Sequence, residues 1–178
     1  MKYILVGIPN AGKSTLGKRA AEILKLPFYE TDALAAEKVW RFDSFSLSSA
    51  RRVIEVQKEI LFEIVRKDES AIIATGAILP VDGGLSDILP EIGTVIHIER
   101  NIELARAAAL NEKGIILVQI DENRKPIPGT EINMSERVVE KYATDLPVLE
   151  KIAHFTVENN GDIESGVEKL VKLITQTR

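Results

Sequence analysis

A chain of 178 residues, 45% of them apolar and 28% charged, has the size and balance of one folded core, which sets aside the disordered, collagen-like and disulfide-scaffold classes. Its 23 Lys and Arg against 27 Asp and Glu leave a net charge of -4, so nothing attracts it generally to nucleic acid or to an anionic membrane, and any bound anion must be held by local geometry. The absence of cysteine removes thiol nucleophiles, disulfides and cysteine-ligated zinc, and agrees with a reducing, cytoplasmic setting.

The elements alternate along the chain. Tyr3 to Val6 is a short apolar run closed by Gly7, the pattern of a strand buried on both faces of a parallel sheet. A helix is expected from Lys13 to Leu24, where Leu16, Ala20, Ile23 and Leu24 share a face, and Pro27 ends it before a strand at Phe28 and Tyr29. Asp32 caps or precedes a helix from Ala33 to about Trp40, and a long helix from Ser49 to Lys67 carries Val53, Val56, Ile60 and Ile64 at helical spacing. Further strands are expected at 71–75 and 94–98, with a short helix near Leu85 to Leu89 between them and a helix at Ile102 to Leu110 after them. The segment 114–130 reads as an inserted flap or hairpin. Ser135 can cap a helix through Thr144, and a last strand at 155–157 precedes an amphipathic helix at Ile163 to Ile174.

About five βα units imply an α/β fold: a three-layer, five-stranded parallel sheet with helices on both faces and ligands at the carboxyl ends of the strands. One domain over 1–178 is expected, with a lid inserted at about 111–132. No stretch reaches the roughly 20 apolar residues of a membrane span, the longest candidate, 71–81, being broken by Thr75, Gly76 and Pro80, and the start of the chain lacks a signal-peptide core. A cytoplasmic monomer or small homo-oligomer without nucleic-acid or membrane partners is expected.

Gly7-Ile8-Pro9-Asn10-Ala11-Gly12-Lys13-Ser14-Thr15 satisfies the phosphate-loop pattern G-x-x-x-x-G-K-[ST], in the context it needs, after a strand and opening a helix. The loop 9–15 wraps backbone N–H groups around a polyphosphate and the helix N-terminus adds a positive dipole end. Lys13 reaches the β- and γ-phosphates of ATP and the Ser14 hydroxyl ligates Mg²⁺. The spelling of this loop is also found in ribosome-associated GTPases. However, N-K-x-D and D-x-x-G, which guanine reading and a γ-phosphate switch require, occur nowhere in the chain.

Glu30-Thr31-Asp32 follows the second strand and so belongs at the same sheet edge. Asp32 can orient an attacking hydroxyl and take its proton, and Glu30 can hold the metal through water; Asp32 can equally be a helix cap, and the two roles are compatible. His97 and His154 stand apart from any cluster of ligating residues and read as structural. Trp40 and Phe42 lie close to Asp32, as acceptor-pocket or as core residues.

With the phosphate loop, Leu26-Pro27-Phe28-Tyr29-Glu30-Thr31-Asp32 and Ile72-Ile73-Ala74-Thr75-Gly76 in place, most of the chain resembles the shikimate kinase family. The resemblance implies that Asp32 is a substrate-binding aspartate, that Glu30 replaces a metal-associated aspartate, and that Gly76 is the first glycine of a G-G-G substrate loop whose other two positions are Ala77 and Ile78. Arg51 and Arg52 lie near a family arginine, out of register by about one turn, with Arg52 the substrate-binding candidate. Asp145 falls where the family's carboxylate-holding arginine stands. Lys113-Gly114-Ile115-Ile116 replaces the arginine-proline lid signature, leaving Arg124, a nucleotide-contact candidate, and Lys125 as lid cations.

The function expected is an ATP- and Mg²⁺-dependent kinase that phosphorylates a hydroxyl of a small metabolite, with an altered acceptor site. Shikimate itself is expected to be a poor acceptor, because Asp145 cannot hold a carboxylate and Ala77 and Ile78 crowd the loop, unless Arg51, Arg52 or Arg137 restores the grip. A nucleoside or nucleoside monophosphate kinase is the alternative, suggested by Arg137, Tyr142 and Pro147. A nucleotide-binding regulatory domain without turnover is another.

Overall fold

The computed structural model describes residues 1–42, 48–111, 116–117 and 132–177, with side chains described over 1–38, 52–110 and 136–177. The first half runs β1 (Lys2–Val6), α1 (Lys13–Leu24), β2 (Phe28–Glu30), α2 (Thr31–Phe42), α3 (Ser48–Val65), β3 (Ala71–Ala74) and α4 (Leu89–Ile92). The second half runs β4 (Thr94–Glu99), α5 (Ile102–Asn111), β5 (Ile116–Leu117), β6 (Ile132–Asn133), α6 (Met134–Ile152), β7 (Phe155–Glu158) and α7 (Ile163–Thr177). Among the described residues no helix is long and apolar enough to cross a membrane.

Five strands make one sheet in the order β2-β3-β1-β4-β7, every pair parallel. All residues of β1 and β3 are buried, which is why residues 3–6 and β3 read as unbroken apolar runs instead of alternating ones. Chain direction across the sheet reverses at β1, and right-handed crossovers then put α1 and α7, which pack on each other, on the face opposite the α2–α3 and α5–α6 pairs. The reversal opens a crevice at the carboxyl end of β1, between β3 and β4.

Two expectations are corrected. The short helix lies at Leu89–Ile92 instead of 85–89, with Pro90 in its first turn, where a missing N–H costs nothing. The helix expected to end at Thr144 continues to Ile152 with Pro147 inside it and with Ser135 as its second residue, not its cap. Continuing past Pro147 loses one backbone hydrogen bond but carries Leu149 and Ile152 into the core, where each buried aliphatic side chain is worth about 1.5–3 kcal/mol. In the flap, only Ile116–Leu117 paired antiparallel with Ile132–Asn133 falls among the described residues; the remainder of the expected hairpin lies outside them.

Candidate active site

The crevice holds a cavity of about 610 Å³ whose floor is the phosphate loop, with Pro9, Asn10, Gly12, Lys13, Ser14 and Thr15 lining it. Ala11 lies below that floor, fully buried, with its N–H on Ile8 O (3.3 Å) and its carbonyl accepting from Asn159 Nδ2 (2.8 Å). Gly12 has a left-handed backbone (φ 97°), and a Cβ there would stand 2.4 Å from Asn159 Nδ2, so the loop can take this shape only with glycine at that position. The loop is thereby bolted to the residue just after β7.

Lys13 points its Nζ at the carbonyls of Gly7 and Ile8, 3.0 Å from each. Burial pushes its pKa down to about 8, a shift that the carboxylates of Asp32 and Glu30 partly offset. A buried cation resting on neutral carbonyls is undercompensated, which is the electrostatic condition for seizing a phosphate. Ser14 donates its hydroxyl hydrogen to Glu30 Oε1. Hydroxyl and carboxylate oxygens side by side form a hard donor set suited to Mg²⁺, which beside a nucleotide takes one or two protein oxygens.

Asp32 is the second residue of α2 and lines the same cavity, exposed; its Oδ1 accepts the Ala33 N–H at 3.1 Å. Asp32 thus lies inside the first turn of α2 and is not its cap. Beside it, buried Thr31 donates to Gln57 Oε1 (3.2 Å) and accepts from the Gly76 N–H (3.0 Å), tying together the start of α2, the middle of α3 and the end of β3. A Cβ on Gly76 would meet Gln57 Oε1 at 2.5 Å, so a larger residue there would require the Gln57 amide, and with it the Thr31 bond, to shift. Gly76, Ala77 and Ile78 all line the cavity.

Arg52 does not. It is exposed and its guanidinium is 3.9 Å from Glu59, while the cavity residue of α3 is Gln57. Arg124 and Lys125 lie outside the described residues, as do the side chains of Arg51, Trp40 and Phe42. Asp145 is not in the cavity lining either. It is buried behind it, accepting from Thr144 Oγ1 (2.6 Å) and paired at 3.3 Å with Lys141 Nζ, one turn back on α6. Lys141 also contacts Asp82 Oδ2 at 2.6 Å, and Arg137 stands 3.8 Å from the same oxygen. Both cations line the cavity, held from behind by acids that do not.

Sequence reasoning missed Thr31, Gln57, Arg100, Lys141 and Asn159 as site residues. Gln57 did leave a trace, a neutral polar residue inside the Val53, Val56, Ile60 and Ile64 stripe, and so did Lys141, set four residues before Asp145. Tyr142 is half-buried against the core.

His97 is buried in β4, and its Nδ1 has no hydrogen-bond partner. Burial, and secondarily the charge of Lys13, lowers its pKa to about 4. Since the unfolded histidine titrates near 6.5, the unfolded chain binds the extra proton first, and stability present above pH 6.5 is lost as pH falls toward 4. Urea unfolding at pH 7 and at pH 5 should therefore show a loss of about 1–2 kcal/mol, and His97→Asn should reduce that loss. An identical pH dependence in the variant would remove His97 as its source.

A family model described as shikimate kinase matches residues 9–175. A shikimate kinase of Clostridium botulinum (strain Alaska E43 / Type E3) is 29% identical over 174 residues, 97% of this chain and 96% of the relative. One of Francisella tularensis subsp. novicida (strain U112) is 30% identical over 178 residues, 97% and 93% of the two chains. Among solved structures, shikimate kinase from Acinetobacter baumannii in complex with shikimate superposes with a TM-score of 0.74 at 23% identity, over 99% of this chain and 94% of that one. The enzyme from Bacteroides thetaiotaomicron gives 0.72 at 19% identity, over 98% of each chain. At these identities the structural likeness establishes the fold.

Proposed function

The chain belongs to the shikimate kinase family, ATP- and Mg²⁺-dependent phosphotransferases with a hydroxyl as acceptor, and we propose that its own acceptor is shikimate, held by its carboxylate at Arg137 and Lys141. The observation that carries this reading is that α6 turns these two cations into the cavity that also holds Asp32 and the phosphate loop. The expectation of poor shikimate turnover rested on Asp145 and on crowding by Ala77 and Ile78; those two do line the cavity, but Asp145 is buried against Lys141, and the α6 side chains in the lining are the cations Arg137 and Lys141. The nucleoside or nucleoside monophosphate kinase and regulatory-domain readings are not favoured by the family match.

In this reading the phosphate loop and Lys13 hold the triphosphate of ATP, and Lys13 exchanges its two carbonyl contacts for phosphate oxygens. Ser14 and Glu30 would hold Mg²⁺, which would supply neutralising charge at the phosphates. Asp32 accepts the proton of the acceptor hydroxyl and aims its oxygen, while Arg137 and Lys141 fix the other end of the ring and so set the angle of attack.

The test is steady-state ADP release with shikimate. A kcat/KM above about 10⁴ M⁻¹s⁻¹ is expected, and Arg137→Ala should raise the shikimate KM by about 10- to 100-fold with the ATP KM unmoved. A wild-type kcat/KM below about 10² M⁻¹s⁻¹ would assign the acceptor site to another metabolite.

A further inference from the structure

At the rim of the phosphate loop two hydrogen-bond donors lack partners. Arg100, two residues before α5 begins, lines the cavity together with Asn10 and sends NH1 to the Asn10 carbonyl at 3.3 Å. Its Nε is buried and unpaired. The Asn10 amide Nδ2 is likewise buried and unpaired. Among the described residues no carboxylate lies within 4 Å of the Arg100 guanidinium, although most of the arginines there have one.

Leaving two buried donors unsatisfied is costly, and such groups persist where a ligand completes them. The missing partner must be an acceptor, and beside a cation in a cavity floored by anion-binding backbone it must be an anionic one. Asn10 also has a left-handed backbone (φ 59°), which turns the loop tip so that its carbonyl faces Arg100.

We propose that Arg100 and the Asn10 side chain together form a second grip on the triphosphate of ATP, in addition to Lys13 and the loop backbone. The contact joins the residue after β4 to the tip of the loop after β1, so it is available in the absence of any cation from the segment between α5 and α6. It gives the chain a fixed guanidinium where the lid signature of the family is replaced by Lys113-Gly114-Ile115-Ile116. The proposal rests on the nucleotide-binding reading of the site, and the two can fail separately.

Isothermal titration of ATP with Mg²⁺, without acceptor, into the 178-residue chain decides. Arg100→Ala should weaken ATP binding at least tenfold, and Arg100→Lys should recover part of it. Asn10→Gly, which tolerates the left-handed backbone, should weaken binding about threefold to tenfold. Because both donors would act on one ligand group, the double variant should lose less than the product of the single losses. Adenosine, lacking phosphates, should compete against labelled ATP equally well for wild type and variants. Wild-type binding of ATP with Arg100→Ala within twofold of it would overturn the grip while leaving the phosphate loop intact. Failure of the wild-type chain to bind ATP would overturn both readings. If Arg100→Ala melts too low to titrate, Arg100→Gln serves in its place and is judged by the same tenfold threshold.

Discussion

Lys13→Ala will abolish phosphoryl transfer and leave the chain folded. Lys13 Nζ is among the most desolvated charges in the cavity, its pKa lowered to about 8 by burial, and its contacts are two main-chain carbonyls. Removing it relieves the fold of an undercompensated buried cation, and the freed carbonyls open onto a cavity that admits water. Removing it from the transferring phosphate takes away a preorganised positive charge where negative charge shifts, worth roughly 3–4 kcal/mol or a factor of 10² to 10³ in rate. ADP release by the variant, read beside its melting temperature, tests both halves. A folded variant turning over at more than about a tenth of the wild-type rate would dismiss Lys13 from the reaction.

Asp32→Asn will lower kcat by about 10² to 10⁴ while leaving ATP binding nearly unchanged. The amide keeps the shape of the carboxylate and can still accept the Ala33 N–H through its oxygen, so the start of α2 is preserved. It cannot take a proton from the acceptor hydroxyl. Measurement of kcat beside the melting temperature divides the two roles Asp32 could have: support of the first turn of α2 would show in stability, a base in kcat. Loss of stability with an unchanged kcat would reduce Asp32 to a structural residue of that turn.

Much of this was legible in the sequence because it is local. An apolar run, a glycine turn and a helix face are written within about 25 residues of one another, and together they define the phosphate loop, its Lys13 and its Ser14. Glu30 and Asp32 could be placed because a parallel sheet brings the carboxyl ends of its strands to one edge whatever their side chains do. Arg52 and Asp145 show where that reasoning stops. Each was matched through the resemblance to the position of a family arginine on a helix, and neither lines the cavity: Arg52 lies near Glu59 and Asp145 pairs with Lys141. On a helix a shift of one residue rotates a side chain by about 100°, so a register that is right within a turn still leaves the facing group undecided.

By itself the sequence determined the order of strands and helices, the phosphate loop and the acidic residues after β2, since these follow from periodicity, glycine placement and short-range backbone geometry. Tertiary structure decided which cations line the cavity, which amide presses against Gly76, and that Arg100 meets Asn10. Those facts depend on pairs such as Thr31 with Gln57, Asp82 with Lys141, and Asn10 with Arg100, separated by 26, 59 and 90 residues. No local propensity encodes such a meeting. It exists only once burial of the core has brought the elements to their final distances and angles.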